Sequence, residues 1–389
     1  MASVLLEKSA TVRYIFSFSA YMNTSRTIKG LLSLAIVMAV LMTTGCFNNP
    51  PKQSGVFVTH DDGAAWNAAP DLKAKNAKKP REYPPLKVNA VGVSPIDANI
   101  VVAGTNEELF RTTDGGKAWE KLNKKLPTAN QNISTQTVAF HPTKKETYYV
   151  GGVSAGYGKV FKTGDGGNSL EDVFTVSRPG QTVTAIQLDP GGSDTVYVGD
   201  QLGAVYKSTD AGATWRKVLT VQQAVTSFVM ISNNLYVGTA GQGVWRSTDG
   251  GVNFAPVNNG LTGEQQNVWV LTAGFGNLYA GTDNGPVLSR DQGNTWQPLQ
   301  NPFPANGIRV LGLTVTGDSI YYAANAVVYK VPASGAPFTS RQLKLVKNIY
   351  GLASSPADPG TIYAAGNNEN DALQNRYGSG LPTLFGAGQ

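Results

Sequence analysis

The chain has 389 residues, of which 41% are hydrophobic and 44 are glycine, and it carries a net charge of +6. Many short runs of Val, Thr and Tyr separated by Gly and Pro are typical of an all-β protein, so long helices are not expected beyond the N-terminal segment. The single cysteine, Cys46, excludes an intramolecular disulfide and a multi-cysteine metal site.

Residues 1–46 have the features of an export signal. Arg26 and Lys29 precede an apolar run from Leu31 to Met42, and small residues follow it. Counted from Met22, the segment has an ordinary signal length. We therefore predict that Met22 is the true start of translation.

The end of this segment, Thr43-Thr44-Gly45-Cys46, resembles a bacterial lipobox. The resemblance implies that Cys46 is lipidated and becomes the new N-terminus, although Thr43 stands where Leu is usual. An uncleaved membrane anchor and a plain secretory signal are the alternatives. Residues 47–54, FNNPPKQS, have the composition of a short tether.

A motif of the form Ser/Thr-x-Asp-x-Gly-x-x-aromatic occurs six times, and only Leu170 breaks its last position. Short β-type runs flank each copy, so the motif predicts a hairpin turn. In such a turn the Asp accepts backbone N–H groups, the Gly adopts positive φ, and the aromatic packs on the neighbouring repeat. These structural aspartates are Asp61, Asp114, Asp165, Asp210, Asp249 and Asp291.

The motif recurs every 39 to 53 residues, a period that suits four short strands per unit. A seventh copy, from Val328 to Phe338, is degraded and has Ala333 in place of the Asp. Seven further hairpins lie between the copies, and the chain begins with a motif hairpin and ends with the other kind. The pattern predicts an all-β, seven-bladed β-propeller over residues 55–366, closed by one blade that the first and last hairpins share, with a tail over residues 367–389.

The motif and its spacing resemble the Asp-box, or BNR repeat, of sialidase-type β-propellers. Sortilin-like receptors, xyloglucan-degrading glycosidases and photosystem II assembly factors share it. The resemblance covers residues 55–366. It implies that the boxes lie on the side of the propeller away from the ligand, so matching the box assigns no catalytic residue.

The opposite face is where this strand order predicts ligand-binding residues. Loops between blades, and loops from each central hairpin to its box hairpin, form that face. Trp269 begins an inner strand and is expected to line the channel mouth. The other candidates are Asn106, Glu107, Glu108, Tyr157, Asp200, Gln201, Gln242, Glu264, Gln265, Asp283, Asn284 and Arg309.

A glycosidase would need two carboxylates across that face. Glu107, Asp200 and Asp283 are the residues to test, although acidic residues beside Gly more often serve turn geometry. A sialidase would also need an arginine cluster, whereas several arginines of this chain adjoin boxes. His60 and His141 are expected to be turn residues. No metal and no cofactor are expected.

Charge is unevenly distributed along the chain. Residues 1–46 carry +3, which leaves about +3 for the remainder, and the insert from Pro70 to Lys87 holds six basic and two acidic residues. A basic loop beside a lipid tether suits anionic headgroups or an acidic partner. The alternative is a solvated loop.

The sequence favours a monomeric, exported lipoprotein, anchored to a bacterial membrane through Cys46, whose propeller is a non-catalytic scaffold for a protein partner. The alternative is a glycan-binding or glycoside-hydrolysing enzyme of the sialidase or xyloglucanase kind. A structural envelope component without a small ligand is the third class. Nucleic acid is not expected as a partner of an exported protein. The partner and the choice of inner or outer membrane are left open.

Overall fold

The computed structural model describes residues 55–69, 87–122, 125–127, 132–299, 308–333, 339–343, 346 and 348–367. The predicted signal, lipobox, tether and C-terminal tail, and nearly all of the basic insert, lie outside the described residues. Within the described residues, 28 strands form seven four-stranded antiparallel sheets.

The strands follow one another with short connections. In chain order they are β1 Gly55–Thr59, β2 Asn67–Ala68, β3 Val88–Val93, β4 Val101–Thr105, β5 Leu109–Thr112, β6 Glu120–Lys121, β7 Ser134–Phe140, β8 Tyr148–Ser154, β9 Tyr157–Thr163, β10 Glu171–Thr175, β11 Val183–Leu188, β12 Val196–Asp200, β13 Ala204–Ser208, β14 Arg216–Thr220, β15 Val225–Ile231, β16 Asn234–Thr239, β17 Val244–Ser247, β18 Ala255–Pro256, β19 Val268–Gly274, β20 Asn277–Thr282, β21 Gly285–Ser289, β22 Gln297–Pro298, β23 Val310–Thr316, β24 Ser319–Ala324, β25 Val327–Pro332, β26 Thr339–Gln342, β27 Asn348–Ser355 and β28 Asp358–Asn367. One short 3-10 turn, Gly263–Gln266, precedes β19.

Each sheet is one blade of a propeller. Blades 1 to 6 take four consecutive strands each, starting at β3, β7, β11, β15, β19 and β23. Blade 7 combines β27 and β28 with β1 and β2, and β1 pairs with β28 from Gly55↔Gly366 to Thr59↔Ile362. The predicted seven-bladed propeller and its shared closing blade are confirmed.

The second strand of each blade is the most buried because neighbouring blades cover both of its faces. Glycine on these strands makes the close approach possible. A Cβ on Gly151 would lie 2.7 Å from Val183 Cγ1, and one on Gly281 would lie 2.7 Å from Val310 Cγ1, in each case on the innermost strand of the next blade. Glycine in a strand interior often marks such a contact, so the recurring Tyr-x-Gly pattern sets the spacing between blades.

Each Asp-box forms the turn from the third to the fourth strand of its blade. In the blade 4 box, the Ser247 hydroxyl donates to Asp249 Oδ1 at 2.7 Å and accepts the Gly251 N–H at 2.7 Å, while Asp249 Oδ1 also accepts the Asn253 N–H at 2.9 Å. The same three bonds recur in the other five boxes. The structural roles predicted for the hydroxyl and the carboxylate are confirmed.

The boxes also join each blade to the one before it. The Tyr236 hydroxyl of blade 4 donates to Gln292 O in the blade 5 box at 2.9 Å, and Tyr197 of blade 3 donates to Gly250 O in the blade 4 box at 2.7 Å. Box aromatics pack the same way, since Trp215 Nε1 donates to Val173 O of the preceding blade at 2.8 Å. These contacts confirm the prediction that the box aromatic packs on the neighbouring repeat.

The propeller has two faces with different contents. The box face carries the boxes and the turns between first and second strands. The mouth face carries the loops between second and third strands and the loops between blades. Because β1 runs from Gly55 toward the first box, and β28 runs the opposite way to Asn367, both ends of the described chain lie on the mouth face.

Candidate functional site at the channel mouth

The innermost strands of the seven blades surround a central channel of about 190 Å³. Near the mouth face, every one of these strands has a β-bulge at the same place, one or two residues into the strand. A bulge re-aims a side chain without ending the sheet. The bulged residues all line the channel; they are Asn89, Gln136, Thr184, Thr226, Trp269, Leu311 and Tyr350.

Three of these residues tie their blade to the next one. Asn89 Nδ2 donates to Thr135 O at 3.3 Å, the Thr184 hydroxyl donates to Val225 O at 2.5 Å, and the Thr226 hydroxyl donates to Val268 O at 2.5 Å. Each acceptor is the residue just before the bulge of the following blade. These side chains are therefore used in holding blades together.

Below the bulged residues, the channel is lined by apolar side chains. Two positions further along their strands lie Val91, Val138, Ile186, Phe228, Leu313 and Leu352, all of which line the same cavity. The lower part of the channel is therefore apolar, and the polar side chains lie at its mouth.

Trp269 lies at the centre of a compact polar cluster at the mouth. Its Nε1 donates to Asp283 Oδ1 at 2.8 Å, and Asn267 Nδ2 donates to Asp283 Oδ2 at 2.9 Å. Arg309 forms an ion pair with Asp283 through Nε, and its Cζ lies 5.7 Å from the Trp269 ring. We call Asn267, Trp269, Asp283 and Arg309 the mouth cluster.

The mouth cluster holds its charges in a fixed geometry. The Asp283 side chain is 11% exposed and the Arg309 side chain 32%, while Trp269 is buried against Ala224, Ala240 and Leu311. A guanidinium held by a carboxylate and by an aromatic face is preorganised, so less entropy is lost when it contacts a ligand. The cluster joins blade 5 to Arg309, the residue just before the first strand of blade 6.

Asp200 lies elsewhere and has a different role. It is 1% exposed, and its Oδ1 accepts the N–H groups of Leu202 and Ala204, each at 2.9 Å. Burial raises its pKa. Thr282 caps the corresponding turn of blade 5 with its hydroxyl. Asp200 is thus a buried turn residue and does not present a carboxylate to a ligand.

Residues of blade 1 form a weaker version of the mouth cluster. Asn106 Oδ1 accepts a bond from Asn89 Nδ2 at 2.6 Å, which places Asn106 where blade 5 has Asp283 and Asn89 where it has Trp269. Glu107 is exposed, and Glu108 forms an ion pair with Lys121. The three carboxylates considered for a glycosidase, Glu107, Asp200 and Asp283, belong to blades 1, 3 and 5, respectively.

The remaining candidates lie in mouth-face loops outside the cluster. Tyr157 is 38% exposed in blade 2, and the half-buried Gln201 donates its N–H to Thr182 O at 3.0 Å. Gln242 Oε1 accepts the Gln222 N–H at 3.3 Å, and the Asn284 N–H bonds to Thr282 Oγ1 at 3.0 Å.

The two residues of the 3-10 turn differ in exposure. Glu264 is exposed, whereas Gln265 is buried and its Oε1 accepts the Thr262 N–H at 3.2 Å. Neither belongs to the mouth cluster.

Two residues of the mouth were missed from the sequence. Asn267 precedes an inner strand and gave no motif signal, and Leu202, 50% exposed, lies beside Gln201 at the mouth-face loop of blade 3. An alignment of the seven inner strands on their first valine or equivalent would have pointed to the bulged positions.

Among the described residues, no group of His, Cys, Asp and Glu side chains could hold a metal ion. The described part of the chain also contains no helix with the length and apolar character needed to cross a membrane.

A family profile described as photosynthesis system II assembly factor YCF48 matches residues 91–324, more than half of the chain. The chain belongs to this family. The photosystem II assembly lipoprotein Ycf48 of Picosynechococcus sp. (strain ATCC 27264 / PCC 7002 / PR-6) is 27% identical over 252 residues, which is 62% of this chain and 67% of the relative.

Solved structures agree on the fold. A structure titled YCF48 bound to D1 peptide has a TM-score of 0.56 at 18% identity and covers 73% of this chain and 94% of that one. The GH74 enzyme of Niastella koreensis has a TM-score of 0.60 at 15% identity and covers 72% of this chain and 51% of that one. The propeller fold is therefore shared by a peptide-bound YCF48 and by a GH74 enzyme, and these likenesses show the fold alone.

Proposed function

We propose that this protein is a non-catalytic assembly factor whose channel mouth binds a segment of a protein partner. The observation that carries the proposal is the mouth cluster, in which Trp269 and Asp283 hold the Arg309 guanidinium at the edge of the channel. Aromatic and arginine side chains dominate the energy of protein interfaces. Relatives named photosystem II assembly lipoproteins, and a family structure bound to a D1 peptide, support a photosystem II subunit as partner.

A glycosidase is the less favoured alternative. The likeness to GH74 enzymes is one of fold, at 15% identity. Asp283 forms an ion pair with Arg309 and accepts two N–H hydrogen bonds, and Asp200 is buried in a turn. A pair of carboxylates on either side of a glycosidic bond is what hydrolysis requires, and these contacts do not supply one.

Lipid attachment at Cys46 and export to the outer side of a bacterial membrane are part of the proposal. Eight residues separate Cys46 from Gly55, a span of roughly 30 Å when extended. Because Gly55 lies on the mouth face, such a tether would keep the mouth cluster toward the membrane that holds the partner. Labelled fatty acid incorporated by the native chain but not by Cys46→Ser would support this anchor; equal labelling of the variant would refute it.

Crosslinking in the native membrane tests the partner proposal. We expect one protein to co-purify with the tagged chain at near-stoichiometric yield, and Trp269→Ala or Arg309→Ala to weaken its binding about tenfold or more. Arg290→Ala is the matched control because Arg290 is an exposed arginine in the blade 5 box, on the other face. A folded Trp269→Ala protein that binds its partner normally would overturn the mouth as the binding site.

A further inference from the structure

A second concave site lies on the box face, between blades 3 and 4. It is a cleft of about 540 Å³, a size within the range of small-ligand pockets. Tyr197 and Lys207 of blade 3 and Met230 and Asn233 of blade 4 line it, together with Asp189. The proposed function uses none of these residues.

Lys207 supplies the cleft with a partly desolvated cation. Its Nζ lies 5.5 Å from the centre of the Tyr197 ring and donates to Gly250 O at 2.6 Å. Burial, and secondarily Arg216, lower the pKa of Lys207. An ammonium has three N–H donors, so one bond to a carbonyl leaves capacity for an anionic acceptor.

The same pair of a lysine and a tyrosine occurs between blades 6 and 7, where a carboxylate of the chain itself contacts both residues. There Lys330 forms an ion pair with Asp62, and the Tyr321 hydroxyl bonds to both Asp62 O, at 3.0 Å, and the Asp62 carboxylate. Lys330 lies 5.8 Å from the Tyr321 ring centre, as Lys207 lies from Tyr197. Asp62 follows the box aspartate of its blade.

Gly250 takes the place of Asp62 in the blade 4 box. Both residues follow the box aspartate and both have positive φ, 60° at Asp62 and 67° at Gly250. The two residues therefore have similar φ, and the difference is the carboxymethyl group that glycine lacks. Lys207 receives no carboxylate from this position, and a Cβ on Gly250 would point toward Asn233, which lines the cleft.

We propose that this cleft binds a small monocarboxylate, whose anionic group contacts Lys207 and Tyr197 as the Asp62 carboxylate contacts Lys330 and Tyr321. Asp189 limits the choice. Hydrogen bonds, chiefly from Ser193, lower its pKa, and its Oδ1 accepts the Gly191 N–H at 2.9 Å. It is ionised at neutral pH and selects against a second negative charge on the ligand. Met230 favours a short apolar chain.

The test is a titration of the whole protein with butyrate, and with the neutral isostere butyramide, at constant ionic strength. Backbone NMR signals of Asn233 and Gly250 should shift saturably with butyrate and not with butyramide. Lys207→Gln should abolish the shifts. Lys162→Gln is the matched control, since Lys162 has the same position in blade 2, 5.9 Å from the Tyr149 ring, and should leave them intact.

Gly250→Asp provides a second variant. Its carboxylate would form an ion pair with Lys207, as Asp62 does with Lys330, and would leave no place for the ligand's anionic group. A Cβ there would lie 2.9 Å from Asn233 Oδ1, the end of a side chain that can rotate away. This variant should fold and lose butyrate binding. Equal shifts with butyramide, persistence in Lys207→Gln, or no saturable shift in the native protein would each overturn the proposal. Partner binding at the mouth, on the other face, is measured separately and does not depend on these outcomes.

Discussion

The box face and the mouth face are built from the same seven blades but use repetition in opposite ways. On the box face, matching positions carry matching side chains and make matching bonds, as in the six Asp-boxes. On the mouth face, matching backbone positions carry different side chains, and the seven bulged residues range from Thr184 to Trp269. Repeated residues therefore maintain the propeller, and the proposed binding site lies among the residues that depart from the repeat.

Lowering the pH should destabilise the propeller through the carboxylates of its Asp-boxes. Hydrogen bonds, chiefly from a hydroxyl four residues on, lower the pKa of Asp165, Asp210 and Asp291 to about 2. Because each folded pKa lies below the unfolded value of about 3.9, these groups stabilise the fold above pH 4 and lose that contribution as pH falls toward 2. We expect the Tm to fall steeply over that interval.

The matched variant for this prediction is Asp210→Asn. It should lower the Tm at pH 7 and make the fall between pH 4 and pH 2 shallower. A native Tm that stays constant down to pH 2 would contradict the role given to the box carboxylates.

Two aspartates of the mouth face, Asp200 and Asp283, have different expected roles, one in stability and the other in partner binding. Asp200→Ala should lower the free energy of unfolding by about 2 kcal/mol, because the buried Ala204 N–H and the neighbouring Leu202 N–H lose their acceptor, and leave partner binding by the folded protein unchanged. Asp200→Thr should recover much of that loss, since Thr282 serves the same turn in blade 5. Asp283→Ala should weaken partner binding by the folded protein about tenfold, because Arg309 and Trp269 lose the carboxylate that holds them.

Urea unfolding and a binding titration on the same samples separate the two aspartates. An Asp200→Ala protein that is as stable as the native protein but does not bind the partner would contradict the structural role given to Asp200.

The hydrogen bonds between blades should contribute less to stability next to the degraded box of blade 6 than next to an intact box. Tyr236→Phe removes the bond to Gln292 O and should cost about 1 kcal/mol in urea unfolding. Tyr279 has the same place in blade 5, next to the blade with the degraded box, and its hydroxyl bonds to Asn277 Nδ2 at 3.4 Å. Tyr279→Phe should therefore cost less, and an equal loss in the two variants would show that the box carbonyl contributes little.

His141 should give the smallest effect. It is buried, its Nδ1 accepts the Thr143 N–H at 3.2 Å, and burial lowers its pKa. The folded protein therefore binds fewer protons than the unfolded chain, and stability falls as pH drops below 6.5. His141→Ser, which copies Ser94 and Ser355 at the same repeat position, should remove this dependence between pH 7 and pH 5; a slope unchanged by the substitution would contradict it.

The fold could be predicted from sequence because its contacts repeat. The six boxes and the degraded seventh predicted seven blades, and the order of the hairpins predicted that the first and last hairpins share one blade. Trp269, Asp283 and Arg309 could each be assigned to the mouth from topology, but their meeting depends on a bulge at Trp269 and on the paths of two loops, which no motif records. The sequence does distinguish Asp200 from these three residues. VYVGD aligns with LYVGT and LYAGT, so Asp200 stands at a position where other repeats have a turn threonine.

The closing blade has a consequence for the order of folding. Its ladder pairs residue 55 with residue 366, so the hairpin made first must wait for the strands made last. Contacts so distant in sequence slow folding, and until they form, the edges of β1 and β28 remain open to pairing with other chains. A chain interrupted before β28 is therefore an aggregation hazard for the cell, and its rapid removal by chaperones or proteases matters as much as the speed of the final closure.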